Sequence, residues 1–194
     1  MTPVTAEQQA NNKEKSQALL RSAELAKALF PQEEWICTEQ NIWVAQSRLS
    51  QEKREPEKWQ KEMAQVRILT SRGSIAFFLP DKYIKGEIGS KTADLVLDGE
   101  VVEMKTISGG RATLGGKFKK GYKQGAILLK DCKITKSHSV FIRLLSDFSI
   151  GSVKAQIAGV LKNRFDEGKF ICFFETIGEL HTWTYEELRS IIGT

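Results

Sequence analysis

Cysteine and histidine are scarce in this chain of 194 residues, with three of the first and two of the second. Cys37, Cys132 and Cys172 are odd in number and widely spaced, which argues against a disulfide framework and fits reduced, buried structural thiols in a cytoplasmic setting. Neither His138 nor His181 stands at zinc spacing from another ligand, so a soft-metal site is not expected. Long apolar runs are missing as well. Without a stretch of about 18 apolar residues or a charged-then-apolar leader, the chain reads as neither membrane-spanning nor marked for classical secretion. No internal repeat or low-complexity tract occurs. Ser108 to Gly116, SGGRATLGG, is glycine-rich but lacks the spacing and terminal Lys-Ser/Thr of a P-loop, so it is expected to be a connector, flexible enough to close over a bound backbone.

Charge is plentiful, at 27% of residues, and its most informative members fall in Lys91 to Thr106, KTADLVLDGEVVEMKT. Apolar residues flank Asp98-Gly99, a strong hairpin signal because both central positions of a type I′ turn need φ > 0. A two-residue loop pairs Leu97 with Glu100, Val96 with Val101, Leu95 with Val102 and Asp94 with Glu103. Side chains alternate, so Asp94, Val96, Val101, Glu103 and Lys105 share one face while Leu95, Leu97, Val102 and Met104 take the other. Directly opposed carboxylates sit roughly 5 Å apart and repel. A divalent cation bridging them would compensate, and hard oxygen ligands suit Mg²⁺ or Mn²⁺. Lys105 would orient or activate a water beside such a metal, the outline of a phosphodiester hydrolysis site. A solvated hairpin face with a Lys/Glu pair is the plainer alternative.

The net charge of +5 is unevenly spread. Between Lys105 and Lys136 nine basic residues face one acid, so the remainder of the chain carries −3. Arg111, Lys117, Lys119, Lys120 and Lys123 lie in this segment, and a phosphate-backbone binder needs such cations. A solvated helix face is the alternative there too.

The remaining periodicities predict a mixed α/β protein. Ala6 to about Phe30 has helical spacing, and Pro31 to Pro56 is irregular with short apolar segments around Trp35 and Trp43. From Glu57 the spacing Trp59, Met63, Val66, Leu69 marks an amphipathic helix stopping at Gly73. Ser74 to Leu79 is a strand and the hairpin follows. Lys117 to Leu129 reads as a helix whose Gly121 and Gly125 imply close packing against the sheet. Ser139 to Leu144 is a strand, Ser152 to Arg164 a helix, and Phe170 to Phe174, FICFF, an interior strand. Leu180 to Thr184 is an edge strand, and Thr184-Tyr-Glu-Glu resembles a capping box opening a last helix. The expected division is a helical and irregular extension over 1–56 and an α/β domain over 57–194.

Asp94 on one strand and Glu103-x-Lys105 on the next resemble the PD-(D/E)XK nuclease superfamily, over residues 60 to about 175, with Ala93 where the signature has Pro. The resemblance implies a restriction-endonuclease-like α-β-β-β-α-β core in which Asp94 and Glu103 hold Mg²⁺ or Mn²⁺ and Lys105 assists the water. Many members add an acid on the preceding helix, which implies Glu62, with Glu57 behind it. Several carry a Lys or Gln on the following helix, a pattern that Lys120 and Gln124 match. The hairpin is also similar to small ribonuclease toxins of the barnase, EndoU, colicin and RelE-like group. In that alternative Lys105, His138 and His181 do acid/base work without metal, and Asp94 and Glu103 are structural. The expected function is a metal-dependent endonuclease of toxin or mobile-element type acting on DNA or RNA, with a possible cognate inhibitor protein. The alternatives are the metal-independent ribonuclease and a non-catalytic nucleic-acid-binding protein; oligomeric state is open.

Overall fold

The computed structural model of the chain describes residues 6–80, 82–83, 90–91, 93–109, 111–164 and 166–191. The protein is mixed α/β, with six helices, an eight-stranded mixed sheet and a two-stranded ribbon among the described residues. It divides into two compact units, Met1–Ser90 with Leu95–Glu100 and Lys91–Asp94 with Val101–Thr194. That division differs from the 1–56 and 57–194 read from the sequence. None of the helices among the described residues is long and apolar enough to cross a membrane.

The first unit opens with α1 (Ala6–Leu29), whose Ala18, Ser22, Leu25, Ala26 and Leu29 form a buried stripe at helical spacing. Next come β1 (Trp35–Glu39), β2 (Ile42–Ala45), α2 (Gln46–Arg54), α3 (Pro56–Thr70) and β3 (Ala76–Phe78). β4 (Lys82–Tyr83) and β5 (Ser90–Lys91) make the ribbon, and β6 (Leu95–Leu97) belongs to the main sheet. β1 and β2 are an antiparallel hairpin, β2 runs parallel to β3 with Trp43 opposite Phe77, and β3 is antiparallel to β6 with Phe77 opposite Val96. α1 packs on β3 and β6, which makes it part of this unit's core rather than an appendage. α3 starts at Pro56, whose missing N–H costs nothing at the first helical position, and buries Trp59, Met63, Val66 and Leu69 as their spacing predicts.

α2 occupies part of the stretch read as irregular. Its Arg48 is only 2% exposed. The guanidinium donates to the Leu79 carbonyl at 2.6 Å and to Glu62 at 3.0 Å, and lies 3.7 Å over the Phe78 ring. These partners offset the cost of burying a charge.

The second unit contains β7 (Glu100–Ile107) from Val101 onward, α4 (Arg111–Asp131), β8 (His138–Leu144), α5 (Ile150–Leu161), β9 (Lys169–Phe174), β10 (Glu179–Thr184) and α6 (Tyr185–Ser190). Its strands lie in the order β7-β8-β9-β10. β7 and β8 are parallel with Glu103 opposite Val140, β8 and β9 are parallel with Phe141 opposite Ile171, and β10 returns antiparallel. Parallel neighbours need crossovers, which α4 and α5 supply. Leu114, Phe118, Val140, Val153, Ile157 and Phe170 belong to the core beneath them. Thr184 and Glu187 form the predicted capping box of α6. The expected glycine-rich connector is corrected: α4 begins at Arg111, so Gly115 and Gly116 are helical. Leu114 and Phe118, one turn apart and both fully buried, offset the poor helix propensity of those glycines.

Candidate active site

The hairpin turn forms as the Asp98-Gly99 pair predicts. Asp98 and Gly99 have φ of 50° and 91°, and they are the two residues left between β6 and β7. The Asp98 carboxylate accepts the Ile75 N–H at 2.8 Å, tying the turn to the start of β3. Of the Lys91 to Thr106 stretch, residue 92 and the side chain of Lys91 lie outside the described residues.

Asp94 stands one residue before β6, half-buried, and its Oδ2 accepts the Met104 N–H at 2.7 Å. Glu103 occupies the middle of β7 and is 1% exposed. Its Oε1 accepts a hydrogen bond from the Lys105 ammonium, and its Oε2 is buried without a hydrogen-bond partner among the described residues. α4 closes over this carboxylate through Gly121, where a Cβ would stand 3.1 Å from both Glu103 Cγ and Val140 Cγ1. The face is therefore buried, and the solvated-hairpin alternative fails for Glu103. Part of the charge compensation assigned to a cation is supplied by Lys105 and by the Met104 N–H, a backbone donor that no side-chain pattern announces.

A buried carboxylate oxygen with no partner is costly. It is the kind of donor a hard divalent cation takes. Among the described residues no three of His, Cys, Asp or Glu gather into a group able to hold a metal. Glu62 belongs to the first unit, where its Oε2 accepts from Arg48 at 3.0 Å and from Gln51 at 3.2 Å. It serves there as the counter-ion of Arg48, and Glu57 is exposed at the start of α3.

On α4, Lys117, Lys119, Lys120 and Lys123 are all exposed. Gln124 is half-buried, and its Oε1 is buried without a partner among the described residues. Arg111 opens the helix, but its side chain lies outside the described residues. One turn beyond Gly121, a Cβ on Gly125 would meet His138 at 3.1 Å. That imidazole packs against Tyr122 at 4.7 Å between ring centroids, and burial pushes its pKa from 6.5 down to about 4. His181, on β10, lies 2.8 Å from Glu179 and stacks on Trp183. Cys172 is buried and its thiol pKa is pushed up by that burial, whereas Cys37 is exposed and Cys132 half-buried, against the expectation that all three are core residues. No family model, characterised protein or solved structure matches the chain.

Proposed function

We propose that the chain is a metal-dependent endonuclease, of toxin or mobile-element type, that hydrolyses phosphodiester bonds in DNA or RNA. The observation that carries this reading is the buried Glu103 carboxylate, with one oxygen on Lys105 and the other unpartnered, on the strand whose next residue, Met104, donates its N–H to Asp94. With the separate β4–β5 ribbon set aside, the element order α3-β3-β6-β7-α4-β8 supports it, since it follows the α-β-β-β-α-β core of the superfamily the hairpin resembles.

In this reading Asp94 and Glu103 hold Mg²⁺ or Mn²⁺, which when bound lowers the pKa of a water and neutralises charge on the scissile phosphate. Lys105 fixes the Glu103 carboxylate and stands next to the phosphate. The α4 lysines meet the backbone on either side, and Gln124 faces the reacting group. A cognate inhibitor protein would cover that basic face. The metal-independent alternative is disfavoured by His138, which is neutral near pH 7 and 4% exposed among aromatic rings.

The test is incubation of purified protein with tRNA, single-stranded DNA and duplex DNA, each with Mg²⁺, Mn²⁺ or EDTA. Cleavage is expected with metal only, and Asp94→Ala or Glu103→Ala is expected to abolish it. Cleavage that survives EDTA assigns the chain to the ribonuclease class, and binding without cleavage makes it a nucleic-acid-binding module.

A further inference from the structure

The first unit contains a cleft that the hydrolytic site does not use. It has a volume of about 560 Å³ and is walled by α1 on one side and by residues 71–74 and Asp98 on the other. A smaller cleft of about 310 Å³ adjoins it, with Lys15, Ser71 and Gly73 lining both. We infer that this cleft binds the phosphodiester chain of a nucleic acid, with Lys15, Arg21 and Arg72 as its cations.

Three observations point there. The larger cleft has no bulky apolar side chain, since the Ala18 methyl is its one apolar lining side chain. That composition suits neither a lipid tail nor a stacked base, and suits an anion bound by hydrogen-bond donors. Three cations, Lys15, Arg21 and Arg72, line it against two acids, Glu14 and Asp98, which leaves an excess of one positive charge. Finally, two of the α1 cations run close to glycine turns. Lys15 Cε lies 3.8 Å from where a Cβ of Gly73 would be, and Arg21 Cβ lies 2.9 Å from the corresponding point at Gly99. Both glycines have positive φ, 98° and 91°, so a side chain at either would be strained, and one at Gly99 would also crowd Arg21. Six residues of helix separate Lys15 from Arg21, a rise of about 9 Å. A chain of phosphates meets both cations better than one isolated anion does.

The inference rests on the nuclease reading only for the source of the phosphates, and its test needs no cleavage. A labelled single-stranded DNA oligonucleotide is titrated in EDTA at several salt concentrations, against wild type, the double variant Lys15→Gln/Arg21→Gln, and Glu14→Gln. The double variant is expected to bind more weakly, with the slope of log K against log salt shallower by about 1.5, near 0.7 per phosphate contact on a single strand. Removing the acid in Glu14→Gln is expected to tighten binding, a gain that a damaged fold would not give. An unchanged slope in the double variant, with its melting transition intact, overturns the inference. So does binding of inorganic pyrophosphate or anionic vesicles that depends on Lys15 and Arg21 while oligonucleotide binding does not. Loss of slope in a chain that cleaves nothing keeps this cleft and removes the nuclease reading.

Discussion

Lys105 has two duties in the proposed site, and they make its substitutions separable. It is the partner of a carboxylate that is 1% exposed, so Lys105→Met leaves Glu103 buried without its cation. That should cost about 3 kcal/mol, read from urea unfolding. Turnover of Lys105→Met should fall far more than oligonucleotide affinity, because one lost contact is a small part of a multi-contact interface. Equal losses in rate and binding would reduce Lys105 to a backbone contact. His138 gives a pH signature of its own. Its folded pKa of about 4 lies below the unfolded 6.5, so between these values the unfolded chain binds more protons and stability falls as pH drops. The stability is fully present above about 6.5 and declines toward pH 4 by at most about 1.4 kcal/mol per pH unit. His138→Phe should flatten the fall of the urea midpoint between neutral and mildly acid pH; an unaltered fall would assign the pH dependence to other groups.

At the level of single elements, α4 has two kinds of glycine. Gly116 has open space around its missing Cβ, whereas at Gly121 a Cβ would sit 3.1 Å from Glu103 and Val140. Gly116→Ala should therefore stabilise the protein by about 0.5–1 kcal/mol, the helix-propensity gain. Gly121→Ala should show no such gain, should displace the Glu103 carboxylate, and should lose cleavage out of proportion to stability. Neutralising Lys117, Lys120 and Lys123 together should reduce the salt slope of binding by about 2 to 3. The spacing of Gly121 and Gly125 makes the close packing of α4 legible, because only a missing side chain serves there. The Asp98-Gly99 turn and the Thr184 capping box were equally legible, since each depends on neighbours a few residues away. Arg48 was not. A charged residue becomes core only through Leu79, Glu62 and Phe78, which sequence spacing does not join to it, and the pairing of Glu62 with Arg48 is equally invisible there. At the start of α4, packing of Leu114 and Phe118 outweighs the local glycine preference that predicts a connector.

For the whole molecule, the boundary near residue 56 that composition suggested falls inside a compact unit. A 57–194 fragment would lose Trp43, stacked on Phe77 at 5.2 Å, and Arg48 from over Phe78. It should bind hydrophobic dye and lack a sharp melting transition, and a cooperative, dye-silent fragment would restore the sequence-based division. The crossover connections of the second unit bear on time. The Asp98-Gly99 turn joins neighbours in sequence, and hairpins close in about 1–10 μs. The wall behind Glu103 has to wait until β7 and β8 align across the whole of α4, an arrangement of high sequence separation and slow closure. During refolding, strand structure should accordingly return before the carboxylate is enclosed, and competence to cleave should be the last property the chain regains.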